Sequence, residues 1–374
     1  MIESQAAVIR EQGGVFALEP IMIEEPGRGE VLVRIAGVGV CHTDLVVRDQ
    51  YFPTPLPAVL GHEGAGVVER VGPGVTKVSP GDHVVLSFAS CGTCQNCQSG
   101  QSGYCPDLYG RNFSGARPDG THPCRDRHGA KISSYFFAQS SFAHLALATE
   151  RNIVKIPKDV PVELMGPLGC GIQTGAGAVI NALKPVAGSS IAIFGAGSVG
   201  LAAVMAAHIV GCATIIVVDL NDDRLALAQN LGATHAVNAG QSDPVAAIQE
   251  LTGGEGVQYS LECTGLPAVV RQAVDSLRLT GTCGVIGVSP LGTEIALDMN
   301  GVLFGRQVRG IIEGDSVPDI FIPRLIELWR QGRFPFDKLV RFYPLTEIEK
   351  AVHAAESGEV LKAILLPDPM IRAL

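Results

Sequence analysis

Polar and apolar residues alternate through "EVLVRIAGVGV", residues 30–40, which predicts a strand that delivers the next residue, Cys41, to its end. A different pattern follows residue 188. The run "IAIF" (191–194) leads into a glycine turn, and "LAAVMAAHIVGCATIIVVD" (201–219) is then apolar over nearly the length a bilayer requires. His208, Gly211 and Thr214 interrupt it, so we read a buried helix that turns at Gly211 into a buried parallel strand. Strands covered on both faces appear as continuous Val/Ile runs. "YSLECTG" (259–265) and "GTCGVIGVSP" (281–290) add strand-like runs that end in turn residues, and six strands is the natural total for a doubly wound sheet. The fold class is α/β.

Composition refines this picture. A chain of 374 residues exceeds the size at which one hydrophobic core keeps growing, so two domains are expected. With 45 glycines and one tryptophan, the composition suits an α/β enzyme with many tight turns. The formal charge of −9 is spread without like-charge blocks, which argues against a nucleic-acid partner. "MIESQAAVIREQGG" has no apolar core run and is not read as a secretory signal, so a cytoplasmic protein without a membrane partner is expected.

"CGTCQNCQSGQSGYC" (91–105) holds Cys91, Cys94, Cys97 and Cys105. Cysteines three apart are poorly placed to pair with one another, and a reducing compartment disfavours disulfides. The spacing C-x2-C-x2-C-x7-C matches neither common iron–sulfur run, despite Pro106 after the last cysteine. Zinc fits better. Four thiolates leave no open coordination position, so this zinc is structural and the chemistry lies elsewhere.

Three other stretches each offer one ligand: Cys41 in "GVGVCHTDL", His62 beside Glu63 in "LGHEGAGVVERVGPGV", and Cys170 in "GPLGCGIQTGAGA". Singly, each is more often a small packed cysteine or a satisfied core histidine than a ligand. Together they form a Cys2His set with one tetrahedral position left for water or an alcohol oxygen.

Gly195, Gly197 and Gly200 spell G-x-G-x-x-G between the "IAIF" run and a helix, the context of a dinucleotide turn. The helix N-terminus then faces the phosphates. Asp219 ends the next strand, where a carboxylate accepts from ribose hydroxyls and repels a 2′-phosphate, so NAD is the expected cofactor. Arg224 is either a cation near that ribose or a solvated helix residue.

The string "GHEGAGVVERVGPGV", with the four-cysteine lobe and the glycine fingerprint, resembles the zinc-dependent medium-chain alcohol dehydrogenases over essentially the whole chain. The resemblance implies a GroES-like, mostly β catalytic domain (1–171 and 314–374) around a Rossmann cofactor domain (172–313). It also implies two zinc ions per chain, with Cys41, His62 and Cys170 holding the catalytic one and Glu63 an occasional ligand. Asp44 would hydrogen-bond the ligand histidine, with a strand-end cap as its other reading. Zinc would lower the pKa of an alcohol, and Thr43 would take its proton first. Lys362 would reach the cofactor phosphates, or else be an ordinary strand-edge lysine. Relatives are commonly homodimers or homotetramers.

The sequence departs from the family pattern at two places. Val46 stands where well-known members continue the proton relay with a histidine, and His42 stands where many carry an arginine against the pyrophosphate. A histidine is only partly charged near neutrality, so NADH binding is expected to weaken as pH rises. By resemblance the substrate pocket includes Val46, Phe52, Phe88 and Val288, an apolar lining that favours benzyl-type or allylic alcohols, and residues 310–340 resemble the aryl-alcohol branch. The alternative is the glutathione-dependent formaldehyde branch, although Tyr109 occupies its expected basic position and only Arg111 lies nearby. A non-catalytic structural protein that binds zinc and NAD is the remaining reading.

Overall fold

The computed structural model describes residues 1–367 and divides into two compact units. The first comprises Met1–Gly171, Val317–Pro323 and the described residues from 337 to 367, and the second Ile172–Ser316 with Arg324–Phe336.

The first unit is mostly β. One sheet orders its strands Ala58–Val59, Ile2–Ile9, Ala17–Ile23, Cys124–Asp126 and Lys131–Ile132. The other runs Ile153–Ile156, His83–Leu86, Glu63–Val71, Glu30–Gly39, Lys362–Leu366 and Val340–Pro344, with Leu145–Thr149 added along Glu30–Gly39. Val8, Leu32, Leu60, Phe142 and Ile153 belong to the core of this unit. The alternation read in 30–40 gives the right element but not its environment. Only Arg34 is exposed in Glu30–Gly39, because this central strand has neighbours along both edges and its small glycine and alanine positions are covered too.

The second unit carries a six-stranded parallel sheet in the order His235–Asn238, Thr214–Asp219, Ser190–Phe194, Val257–Glu262, Leu277–Val285 and Gln307–Gly310. The order reverses at the first strand, the topology of a doubly wound dinucleotide fold. The long apolar run is explained here. Helix Ser198–Ile209 is buried from Gly200 to Ala207, and the strand after it is buried from Ile215 to Val218. Among the described residues no helix is long and apolar enough to cross a membrane.

Candidate metal centres and dinucleotide loop

Cys41 lies just past the end of strand Glu30–Gly39 and caps helix His42–Arg48. Asp44, in the first turn, accepts from Cys41 N at 2.9 Å through Oδ2. Its other oxygen accepts from Gly61 N at 3.1 Å and meets His62 Nδ1 at 2.8 Å. One carboxylate thus both meets the His62 ring and caps a helix start, where the sequence offered a strand-end cap. Asp44 and His62 are 0% exposed, so the imidazole has little freedom to turn.

The outcome is a cluster in which ligand atoms of Cys41, His62, Glu63 and Cys170 all lie within 4.8 Å of one another. Among the described residues, His62 Nε2 is buried without a hydrogen-bond partner. A buried polar nitrogen is costly unless something satisfies it, and a metal held with the two thiols does so. Hydrogen bonding to Cys170 leads the effects that hold the Cys41 thiol well below its usual range, against burial and aided by the charge of His62. The thiolate is the form a metal ligand needs. Thr43 is half-buried, its Oγ1 3.9 Å from Cys41 Sγ. His42 begins the same helix and is exposed.

Lys362 stands differently from either reading of the sequence. Its strand is interior, flanked by Val340–Pro344 and Glu30–Gly39. The side chain is 3% exposed. Nζ donates to Glu63 Oε1 and Oε2 at 3.0 and 2.9 Å and to the Val40 carbonyl at 3.1 Å, so three contacts occupy its three donors. Glu63 also accepts from Gly171 N at 3.1 Å, next to Cys170. Burial pushes the Glu63 carboxyl up to about 7 against the opposing pull of Lys362.

Aromatic rings gather around His62, and most of them escaped the sequence reading. Phe137 stacks on the imidazole at 4.4 Å and Phe136 meets it edge-on at 5.3 Å. Phe113 packs at 5.4 Å from Phe137, and Phe52 and Tyr109 lie 5.6 and 4.8 Å from Phe113. The signal that was available is the run Tyr135–Phe137 in a chain with only 5% aromatic residues. Val46 is 8% and Phe88 5% exposed. Val288 belongs to the second unit and is 38% exposed. Arg111 pairs with Asp107 at 2.7 Å.

Cys91, Cys94, Cys97 and Cys105 form a second such cluster. Backbone N–H groups already point at its sulfurs: Cys94 N to Cys91 Sγ at 3.3 Å, Cys97 N to Cys94 Sγ at 3.5 Å and Cys91 N to Cys105 Sγ at 3.4 Å. The N–H groups of Thr93 and Cys94 lead the effects that lower the Cys91 thiol to about 5. This donor set fits a tetrahedral zinc.

In the second unit a Cβ on Gly200 would lie 1.8 Å from the Gly195 carbonyl, so the helix can begin this close to the turn only with glycine there. Gly197 is different: its missing side chain faces open space, the room a pyrophosphate would need. Asp219 Oδ2 accepts from Ala196 N at 2.6 Å, and Oδ1 accepts from Leu220 N and Asn221 N at 2.8 and 3.0 Å, which fixes the carboxylate against the glycine loop. Arg224 is half-buried in the first turn of helix Asp222–Asn230.

A dinucleotide loop in one unit and a Cys–His–Cys centre with Glu63 beside it in the other are the parts of a metal-dependent oxidoreductase. Comparison with known proteins makes the class specific. Residues 27–158 match the alcohol dehydrogenase GroES-like domain, and 198–329 match the zinc-binding dehydrogenase family. The geraniol dehydrogenase of Castellaniella defragrans is 48% identical over 367 residues, 98% of each chain. The crystal structure of benzyl alcohol dehydrogenase from Acinetobacter calcoaceticus superposes with a TM-score of 0.94 at 49% identity, covering 98% of this chain and 99% of that one. The S-(hydroxymethyl)glutathione dehydrogenase of Paracoccus denitrificans is 33% identical, covering 98% of this chain and 100% of its own. The chain belongs to the zinc-dependent medium-chain alcohol dehydrogenases, with a catalytic and a structural zinc site.

Proposed function

We propose that the protein oxidises primary aromatic or allylic alcohols, of the benzyl alcohol or geraniol type, reversibly to the aldehyde with NAD as hydride acceptor. The observation that carries this reading is the array of rings, Phe137, Phe113, Phe52 and Tyr109, that extends from the imidazole of His62. These rings belong to or pack beside the core of the first unit, and an aromatic, apolar environment next to the metal ligands suits planar, apolar substrates better than a polyol. The benzyl alcohol and geraniol enzymes among the relatives support it.

Cys41, His62 and Cys170 hold the catalytic metal, and Asp44 fixes the tautomer of His62. Zinc, when bound, polarises an alcohol oxygen and lowers its pKa. Thr43 accepts the proton at Oγ1. Val46 offers no onward acceptor, so the proton that the Thr43 hydroxyl gives up in turn would pass to the ribose of a bound cofactor or to water. Val46→His is expected to speed proton release at low pH, measured in the transient phase of NADH formation; an unchanged rate would remove the idea of an interrupted relay. Asp219 selects NAD, and Gly195, Gly197 and Gly200 admit its pyrophosphate. Phe137→Ala is expected to lower kcat/KM for benzyl alcohol about tenfold, the equivalent of about 1.4 kcal/mol, while ethanol turnover changes little. Equal losses on both alcohols would mean that the ring serves only the metal centre.

The glutathione-dependent reading is disfavoured by Tyr109, which stacks on Phe113 where a cation is expected, and by the pairing of Arg111 with Asp107. We also read the protein as a homodimer or homotetramer. Strand Gln307–Gly310 is an exposed sheet edge that follows exposed Met299, Leu303 and Phe304, the kind of edge that natural proteins cover.

A further inference from the structure

We propose that Gln139 is a positioning residue for the catalytic-metal histidine, its side chain standing in for a missing strand beside His62. The inference rests on the reading of His62 as a metal ligand and is independent of which alcohol is the substrate.

Strand Glu63–Val71 begins one residue after His62, so the ligand itself lies outside the ladder. Residues 136–142 run alongside as a strap. Ser140 Oγ donates to the Val59 carbonyl at 2.6 Å, Phe142 N to the Leu60 carbonyl at 3.0 Å and Ser141 N to the Gly61 carbonyl at 2.7 Å. Beyond Gly61 the side chain of Gln139 continues the pairing. Its Nε2 donates to the His62 carbonyl at 2.9 Å, and its Oε1 accepts from Gly64 N at 3.1 Å. One amide thus grips the backbone on both sides of Glu63, in the donor and acceptor pattern a neighbouring strand would present.

The amide is itself held. Nε2 also reaches the Ser87 carbonyl at 3.3 Å, and Ser141 Oγ donates to Oε1 at 2.7 Å. Gln139 is 0% exposed, and each of its two polar atoms is used twice. A Cβ on Gly64 would lie 2.3 Å from Ser141 Oγ and 3.1 Å from Gln139 Oε1, so the glycine after His62–Glu63 is what admits this surrogate strand. Three non-glycine residues of the strap, Phe137, Ala138 and Ser140, have φ between 48° and 50°, a region that L-residues seldom enter unless their surroundings impose it. That conformation places Phe137 on the imidazole and the Gln139 amide on the backbone of the same residue. Asp44 fixes the ring from its Nδ1 side, while Gln139 fixes the backbone from which the ring projects. Groups one step removed from a metal commonly change its affinity 10- to 100-fold.

The test is timed metal loss to a chelator, with zinc counted per chain, in wild type, Gln139→Met, Gln139→Glu and a control, Ser260→Ala, whose buried hydroxyl bonds to Ala273 in the other unit. Methionine keeps the shape without polar atoms. Glutamate keeps both acceptor contacts and loses both donations, and it serves should the methionine variant fail to fold. The proposal expects the catalytic zinc to leave either Gln139 variant about tenfold faster or more than wild type, with the four-cysteine zinc released at the wild-type rate. Cobalt-loaded protein should show a shifted visible band for the histidine-containing site alone. Ser260→Ala, even with a lowered thermal midpoint, should do neither. If both Gln139 variants lose catalytic zinc at the wild-type rate with an unchanged cobalt band, or lose both metals equally faster, Gln139 is only structural and the proposal falls. A His62→Ala variant tests the underlying reading separately: a chain that still holds two zincs with His62 removed would refute the ligand assignment and not the role of Gln139 in packing.

Discussion

Lys362→Met is expected to destabilise the protein by about 3–5 kcal/mol, the usual consequence of removing one partner of a buried ion pair. Glu63 is fully buried, and among the described residues Lys362 donates to both of its carboxylate oxygens while Gly171 N donates to one. The Val40 carbonyl loses a donor as well. A carboxylate left buried in that position without its cation must either stay charged or take up a proton, and each costs free energy. Because Gly171 adjoins Cys170, the loss is expected to reach the metal site, seen as weaker zinc retention. Glu63→Gln in the Lys362→Met background should recover more than half of the lost stability in denaturant unfolding, since removing both charges is far cheaper than stranding one. A double variant no more stable than the single one would show that Lys362 acts through packing.

Asp44→Ala is expected to lower kcat/KM 10- to 100-fold for any alcohol and to weaken catalytic-zinc affinity over a similar range. The magnitude follows from how many tasks one carboxylate performs. It accepts the N–H of Cys41, the N–H of Gly61 and the Nδ1 proton of His62, so alanine loosens two of the three ligands and frees the imidazole to adopt the wrong tautomer. Asp44→Asn keeps the volume and an acceptor oxygen, and its loss should be the smaller. Zinc analysis beside steady-state kinetics separates the two effects. Equal activity in wild type and Asp44→Ala would mean that His62 is oriented by Phe137 and the backbone alone.

The four cysteines of 91–105 are legible because local spacing alone brings them together, and the glycine turn because its strand and helix flank it in sequence. Cys41, His62 and Cys170 are legible only in combination, since more than a hundred residues separate the first from the last. The setting of Lys362 is not legible, because nothing in "GEVLKAILL" shows that the strand is interior or that a buried carboxylate waits across it. The ring array and Gln139 depend on the strap at 136–142, whose left-handed residues carry none of the glycines that usually announce such a turn. A polar residue inside an aromatic run, as in "YFFAQSSF", is the faint mark it left.

The central claim is that this zinc dehydrogenase selects flat or unsaturated apolar alcohols with its rings. The most direct test is NADH formation by the zinc-loaded protein with NAD, comparing benzyl alcohol, geraniol, ethanol, sorbitol, and formaldehyde with glutathione. We predict the highest kcat/KM with benzyl alcohol or geraniol, at least tenfold above ethanol, and none with sorbitol. Turnover confined to the glutathione adduct, or equal rates with ethanol and benzyl alcohol, would contradict the account.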